Sequence, residues 1–148
     1  MRSSLLGLVL AAAPLVAQAQ VDETVELGRP TRIQVRLVDD AVQLEVGTRR
    51  AERQTLPGGT VTGASVRPVT LAGGAVVAVV TVPDRAAAVV ANASGRPAIL
   101  WTGNLALHGD PGERRRDVVQ VADRTGDGVP EVIVGYGQEG RAICGEET

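Results

Sequence analysis

The chain has no phenylalanine and no lysine, and it carries one residue each of tryptophan, tyrosine, histidine, cysteine and methionine among 148. Each shortage closes off a chemistry. Without lysine, neither Gly58-Gly59 nor Gly73-Gly74 can belong to a phosphate loop of the lysine-bearing kind, so both read as turn or linker glycines. One histidine, His108, and one cysteine, Cys144, are too few to close a zinc site. A nucleophile and base built on His108 would have to recruit Ser65, Ser94 or Cys144 with no sequence signature to support it. The expectation is therefore a chain without a catalytic site. Cys144 has no partner in these residues, so it reads either as a small buried hydrophobe or as a thiol paired outside them. Trp101 and Tyr136 are too few for a sugar-stacking platform and read as packing groups. A net charge of −2 and an isoelectric point near 5.4 provide no overall field for nucleic acid. Arg114-Arg115-Arg116 reads as a solvated approach to a strand.

What remains is valine, 24 times, with alanine, leucine and isoleucine. Branching at Cβ favours strands over helices. Short apolar runs at 33–38, 41–46, 75–82, 86–91, 97–101, 117–122, 131–135 and 141–144 are separated by turn residues, and nothing sustains three helical turns. Gln34-Val35-Arg36-Leu37 alternates and predicts one wet face. Val76-Val77-Ala78-Val79-Val80 does not alternate, so that strand must be covered on both sides. Pro83 and Asp84 end it well short of a membrane span.

These strands fall into three similar groups. First strands begin near Ile33, Val76 and Val118, spaced by 43 and 42 residues, with second strands near Val42, Ala88 and Val132 and third strands near Arg53, Ile99 and Ala142. Fourth strands fit at 61–71 and 104–108 for the first two groups, leaving the third without one. A period of this size predicts an all-β chain of propeller-like blades of short antiparallel strands. Three blades do not close a ring, so the reading calls for a further chain or an oligomer. A β-sandwich of seven or eight strands is the alternative and needs no more sequence.

Residues 1–19 read as a secretory signal peptide: Arg2, an apolar stretch at 5–16, and a small-x-small site at Ala17-Gln18-Ala19. The expected mature chain, 20–148, is a single all-β domain, exported to a periplasmic or extracellular location, with no integral membrane span after cleavage. It is expected to be part of a larger chain.

The sharpest chemical signal is Asp123-Arg124-Thr125-Gly126-Asp127-Gly128-Val129-Pro130-Glu131, followed by Val132-Ile133-Val134. Oxygen donors stand at positions one, three, five and nine (Asp123, Thr125, Asp127, Glu131), and Val129 can lend a carbonyl at position seven. That spacing suits calcium. Position twelve is Val134 rather than a bidentate glutamate, so the site would sit on a β-hairpin and not between helices. An ordinary hairpin turn accounts for the same Asp and Gly residues without an ion.

Residues 123–135, DRTGDGVPEVIVG, resemble the calcium loop of FG-GAP and VCBS-type repeats, with Glu131 where aspartate is usual and Thr125 where aspartate or asparagine is commoner. The resemblance covers thirteen residues. It implies an extracellular β-propeller serving adhesion or ligand binding, with calcium as the cofactor and a protein or glycan as the partner. The corresponding positions of the earlier groups, Asp39-Asp40 and Pro83-Asp84-Arg85, lack the motif. The stretch from Leu100-Trp101-Thr102-Gly103 to His108-Gly109-Asp110-Pro111-Gly112-Glu113 is similar to N-terminal regions of large uncharacterised exported bacterial proteins. The expected function is a secreted, non-enzymatic interaction or structural module. The alternative is an accessory N-terminal segment of a larger exported enzyme whose active site lies elsewhere.

Overall fold

The computed structural model describes residues 19–105, 107–108, 115–138 and 141–147, and the side chains of 21–105 and 117–135. The signal-peptide reading therefore falls outside the described residues save for Ala19, as do the side chains of His108, Tyr136, Cys144 and Arg114-Arg115-Arg116.

The described chain is all-β and antiparallel, in three four-stranded sheets, none of them closed. The first sheet holds β1 (Ala19–Glu26), β2 (Pro30–Val38), β3 (Ala41–Val46) and β4 (Glu52–Leu56). The second holds β5 (Ser65–Thr70), β6 (Val76–Val82), β7 (Ala86–Ala93) and β8 (Arg96–Asn104), and the third holds β9 (Leu107–His108), β10 (Arg115–Ala122), β11 (Glu131–Gln138) and β12 (Arg141–Glu147). In each sheet the strands lie in sequence order, so each is a simple meander. Tight turns make this feasible: Asp39 and Asp40 between β2 and β3 both take positive φ, 48° and 61°, as do Ser94 and Gly95 between β7 and β8. Two left-handed residues in a row match the twist of the strands they join. Among the described residues no helix is long and apolar enough to cross a membrane.

The run at 76–80 is covered on both sides, as its composition requires. One face of the second sheet (Ala78, Val80, Val82, Ala86, Ala88, Val90) packs on Val21, Ile33, Val35, Leu44 and their neighbours in the first sheet. Its other face (Val77, Val79, Ala87, Val89, Ala91) packs on Val119, Val121 and Val132 of the third. The sheets thus form three layers with two cores. Polar ties join the first two layers: Gln54 Nε2 donates to Thr102 Oγ1 at 3.0 Å, Asn92 Nδ2 to the Leu27 carbonyl at 3.1 Å, and the Ile99 amide to Glu52 Oε2 at 3.1 Å.

The expected phase of the repeat is corrected by one strand. The strands near Ile33, Val76 and Val118 are the second, not the first, of their sheets. The segments assigned as fourth strands at 61–71 and 104–108 instead contain β5 and β9, which open the second and third sheets. The third sheet consequently has four strands rather than three. β1 had no counterpart in the expectation, because Asp22-Glu23-Thr24 interrupts its apolar residues, leaving Val21 and Val25, with Leu27 just past its end, to face the core.

The third sheet also departs from the period in direction. Turns in a meander alternate between its two ends, so Asp39-Asp40 and Pro83-Asp84-Arg85 lie opposite the β1–β2 and β5–β6 turns. Their counterpart, the β10–β11 connection, would belong to that same far end if the period were strict. Instead Gly128, Val129 and Pro130 share a cleft with Leu27 and Leu71, at the β1–β2 and β5–β6 end. The third layer runs reversed relative to the other two.

The outer face of the first sheet is a polar ladder across all four strands. Arg32 on β2 holds Asp22 on β1 with two nitrogens, Nε at 2.7 Å, and Gln34 Nε2 donates to the same carboxylate at 2.8 Å. Arg36 reaches Gln34 and, at 3.5 Å, Glu45 on β3, which also accepts from Arg53 Nε on β4 at 3.0 Å. The Arg32 hydrogen bond, helped by Gln34 and opposed by desolvation, lowers the Asp22 carboxyl from 3.8 to about 2.

A folded-state value below the unfolded one means that Asp22 stabilises the fold above pH 4 and ceases to do so as pH falls toward 2. The melting temperature of Asp22→Asn should fall below that of the parent at neutral pH and converge with it between pH 4 and 2; curves that stay parallel would show the ladder to be inert. A second prediction concerns Gly103 on β8, where an added Cβ would overlap the six-membered ring of Trp101. Gly103→Ala should cost about 1–3 kcal/mol of overpacking, measured by urea denaturation followed through Trp101 fluorescence.

Candidate metal centre

The β10–β11 connection is long because its residues cannot continue either strand. Gly126 and Gly128 take φ of 77° and 83°, a region that side chains rarely adopt, and nothing lies within 4 Å of where their Cβ atoms would be. Between them the chain folds back on its own carboxylates. Asp123 Oδ1 accepts the Gly126 amide at 2.6 Å and Oδ2 the Gly128 amide at 3.0 Å. Asp127 Oδ1 accepts the Val129 amide at 2.8 Å. Across the loop Glu131, the first residue of β11, accepts the Arg124 amide on Oε2 at 2.7 Å and the Thr125 hydroxyl on Oε1 at 3.0 Å.

These bonds bring Asp123, Asp127 and Glu131 together, with one carboxylate oxygen of each within 4.8 Å of the others. The triad could hold a metal ion. The spacing meets the limit that one calcium ion sets, since two oxygens at about 2.4 Å from the same ion can stand at most roughly 4.8 Å apart. Each oxygen that accepts one amide keeps a lone pair for a cation. Thr125 spends its proton on Glu131 and keeps its oxygen lone pairs, so its expected role as a ligand is compatible with the bond it makes. For Val129 the structure shows the amide on Asp127 and a side chain 59% exposed; the bond fixes the Gly128–Val129 peptide, one unit before the carbonyl that was expected to coordinate. The donor set is all oxygen, which suits a hard cation.

The Arg124 amide, with Thr125 assisting, holds the Glu131 carboxyl below its ordinary 4.5 against desolvation and the Asp127 charge. The bonds across the loop are therefore kept above the ordinary carboxylate range and given up as pH falls through the lowered value.

Beyond the carboxylates, Val129 and Pro130 form one wall of an open apolar cleft of about 640 Å³, whose other walls include Leu27, Leu71, Val76 and Leu100. Leu100 and Val129 are two of the three large hydrophobic side chains exposed among the described residues. Sequence reasoning did not find this cleft, since its walls come from turns of all three sheets. Ser65 opens β5 and Ser94 sits in the β7–β8 turn, some thirty residues apart in sequence and in different elements. Trp101 packs half-buried against the second core, as expected of a packing group. No protein-family model matches the chain, and no curated protein or solved structure was found to match it.

In metal-free protein the Arg124 amide resonance should shift with pH about a midpoint below 4.5, and Glu131→Gln should abolish that shift. A midpoint at or above 4.5 would mean that the cross-loop bond does not form in solution.

Proposed function

We propose that this chain is a non-enzymatic interaction or structural module, exported from the cell, in which a calcium ion at Asp123, Asp127 and Glu131 rigidifies the β10–β11 connection. The observation that carries the reading is the convergence of the three carboxylates within 4.8 Å, at the donor spacing of a calcium loop. Thr125 and the Val129 carbonyl complete the proposed ligand set. The ion would neutralise three acids held close together and would fix Val129 and Pro130, the wall of the apolar cleft. A protein or glycan partner is the class of ligand such a module would serve.

The likeness of 123–135 to FG-GAP and VCBS-type loops supports the same reading. So does the succession of four-stranded meanders packed face to face, which is the local architecture of propeller blades. The first two meanders fit that description. The reversed third sheet marks where the arrangement departs from a regular ring, and a ring would need further blades from elsewhere in the chain or from other copies.

An ion bound only to the folded state stabilises it by mass action, by about 2.7 kcal/mol at a hundredfold excess over its dissociation constant. Calcium is expected to raise the melting temperature, and Asp127→Asn should remove the increment while keeping the oxygen that accepts the Val129 amide. A melt indifferent to calcium would sink the proposal; a melt raised equally by magnesium would keep the site and change the ion.

A further inference from the structure

An open cleft of about 800 Å³ lies between the first two sheets, and its lining differs from the rest of the surface. Arg29 from the β1–β2 turn, Arg32 on β2, Arg49 and Arg50 from the β3–β4 turn, and Arg96 at the start of β8 all border it. Five of the fifteen basic residues of a chain with net charge −2 thus meet at one place, drawn from positions up to 67 residues apart. We propose that this cleft is a binding site for a compact, multiply charged oxyanion, a phosphate or sulfate ester or anhydride.

Four observations carry the assignment. First, the charge is not compensated locally. Asp22 takes Arg32, but among the described residues Arg29, Arg49, Arg50 and Arg96 have no ion-pair partner. The one acid on the lining, Glu52, accepts the Ile99 amide and offsets a single charge. Second, the cationic groups are all guanidinium, whose planar fork of donors matches two oxygens of one anion at a time. Third, the wall is shaped by rigid backbone. Pro30 and Pro97 border the cleft, and Gly47, at φ 95°, stands beside Pro97 at the start of the turn that carries Arg49 and Arg50. Fourth, among the described residues the lining offers guanidinium donors and no aromatic face, which suits an anionic group rather than a stacked base or sugar ring. Bringing four unpaired guanidinium groups to one cleft costs repulsion, which a multivalent anion would relieve and a monovalent one would relieve only in part.

The site shares no charged residue with the candidate metal centre and stands whether or not calcium binds there.

Titration calorimetry on the full, metal-free chain at low ionic strength and a pH at which phosphate is dianionic tests the assignment, with inorganic phosphate in one arm and inorganic sulfate in the other. At least one should bind, with affinity falling as chloride is raised, and the preferred anion identifies the phosphate or the sulfate chemistry. The double variant Arg49→Gln with Arg50→Gln should lose tenfold or more, and Arg96→Lys, which keeps the charge and loses the fork, should lose less. Arg67→Gln, an exposed position on β5 outside the cleft, should bind as the parent does. The side chains replaced are exposed, and a thermal melt of each variant separates loss of binding from loss of fold. The proposal is overturned if neither anion binds, or if Arg67→Gln weakens binding as much as the double variant. It is overturned equally if Arg96→Lys and the double variant both bind like the parent.

Discussion

Everything in this fold depends on one pair of strands that cannot face water on either side. β6 and β7 consist almost wholly of valine and alanine, and the run from Val77 to Val80 and that from Ala86 to Ala91 are buried throughout. A sheet of this kind is unstable alone, because leaving either face open exposes a continuous apolar surface at the edge of aggregation. The first and third sheets exist, energetically, as its two covers. The absence of phenylalanine makes the fit depend on small branched groups. Across β6 and β7 the register sets Ala78 opposite Val90, Val80 opposite Ala88 and Val82 opposite Ala86, so bulk on one strand meets a methyl group on its neighbour. The same economy leaves Gly103 as the place where the indole of Trp101 can lie down. The wet face expected for Gln34-Val35-Arg36-Leu37 is polar but not wet at this point: Val35 turns to the covered strands, while on the opposite face Gln34 is itself buried and Arg36 half-buried within the polar ladder.

How much of this was legible depended on whether the information was local. Strand existence was local: β3 matches its apolar run residue for residue, and β6 is bounded by Pro83 and Asp84 as its sequence required. The two-sided burial of β6 was legible for the same reason, since five apolar residues in succession admit no other placement. β1 was missed because its acids outnumber its buried valines, and only pairing with β2 decides which residues point inward. The phase of the repeat was wrong by one strand because periodicity fixes spacing and not origin. The reversal of the third sheet was invisible, since the 43- and 42-residue spacings are the same whichever way a meander runs.

The two candidate sites differ in the same respect. The carboxylate triad was legible because Asp123, Asp127 and Glu131 lie within nine residues and close on themselves through amides of the same loop. The arginine cleft was not, although its elements were in plain view as Gly28-Arg29, Thr48-Arg49-Arg50 and Gly95-Arg96. Each is an ordinary turn with a charge on it. The meander sets the first two at one end of the first sheet, but only the stacking of that sheet on the second brings the third beside them, and that stacking follows from the apolar faces of β2, β3, β6 and β7, which hold no information about arginine.

The placement of charge then separates into two regimes. On the outer face of the first sheet, opposite charges are matched residue by residue: Asp22 with Arg32, and Glu45 with both Arg36 and Arg53. These pairs cross strands at sites where the backbone ladder fixes both partners, so little side-chain freedom is left to lose on pairing. At the end of the stack that carries the β1–β2 and β7–β8 turns, the matching stops. Acids gather in one loop and are satisfied by backbone amides and a threonine hydroxyl, while arginines gather around a cleft that adjoins the apolar one, Gly95 lining both. With seventeen acids and fifteen arginines available, local neutrality is achievable and is achieved where the sheet face requires it. Where charge of one sign is concentrated instead, on exposed turns, no strand register brings an opposite partner alongside, and solvent is left to screen what the backbone does not pair.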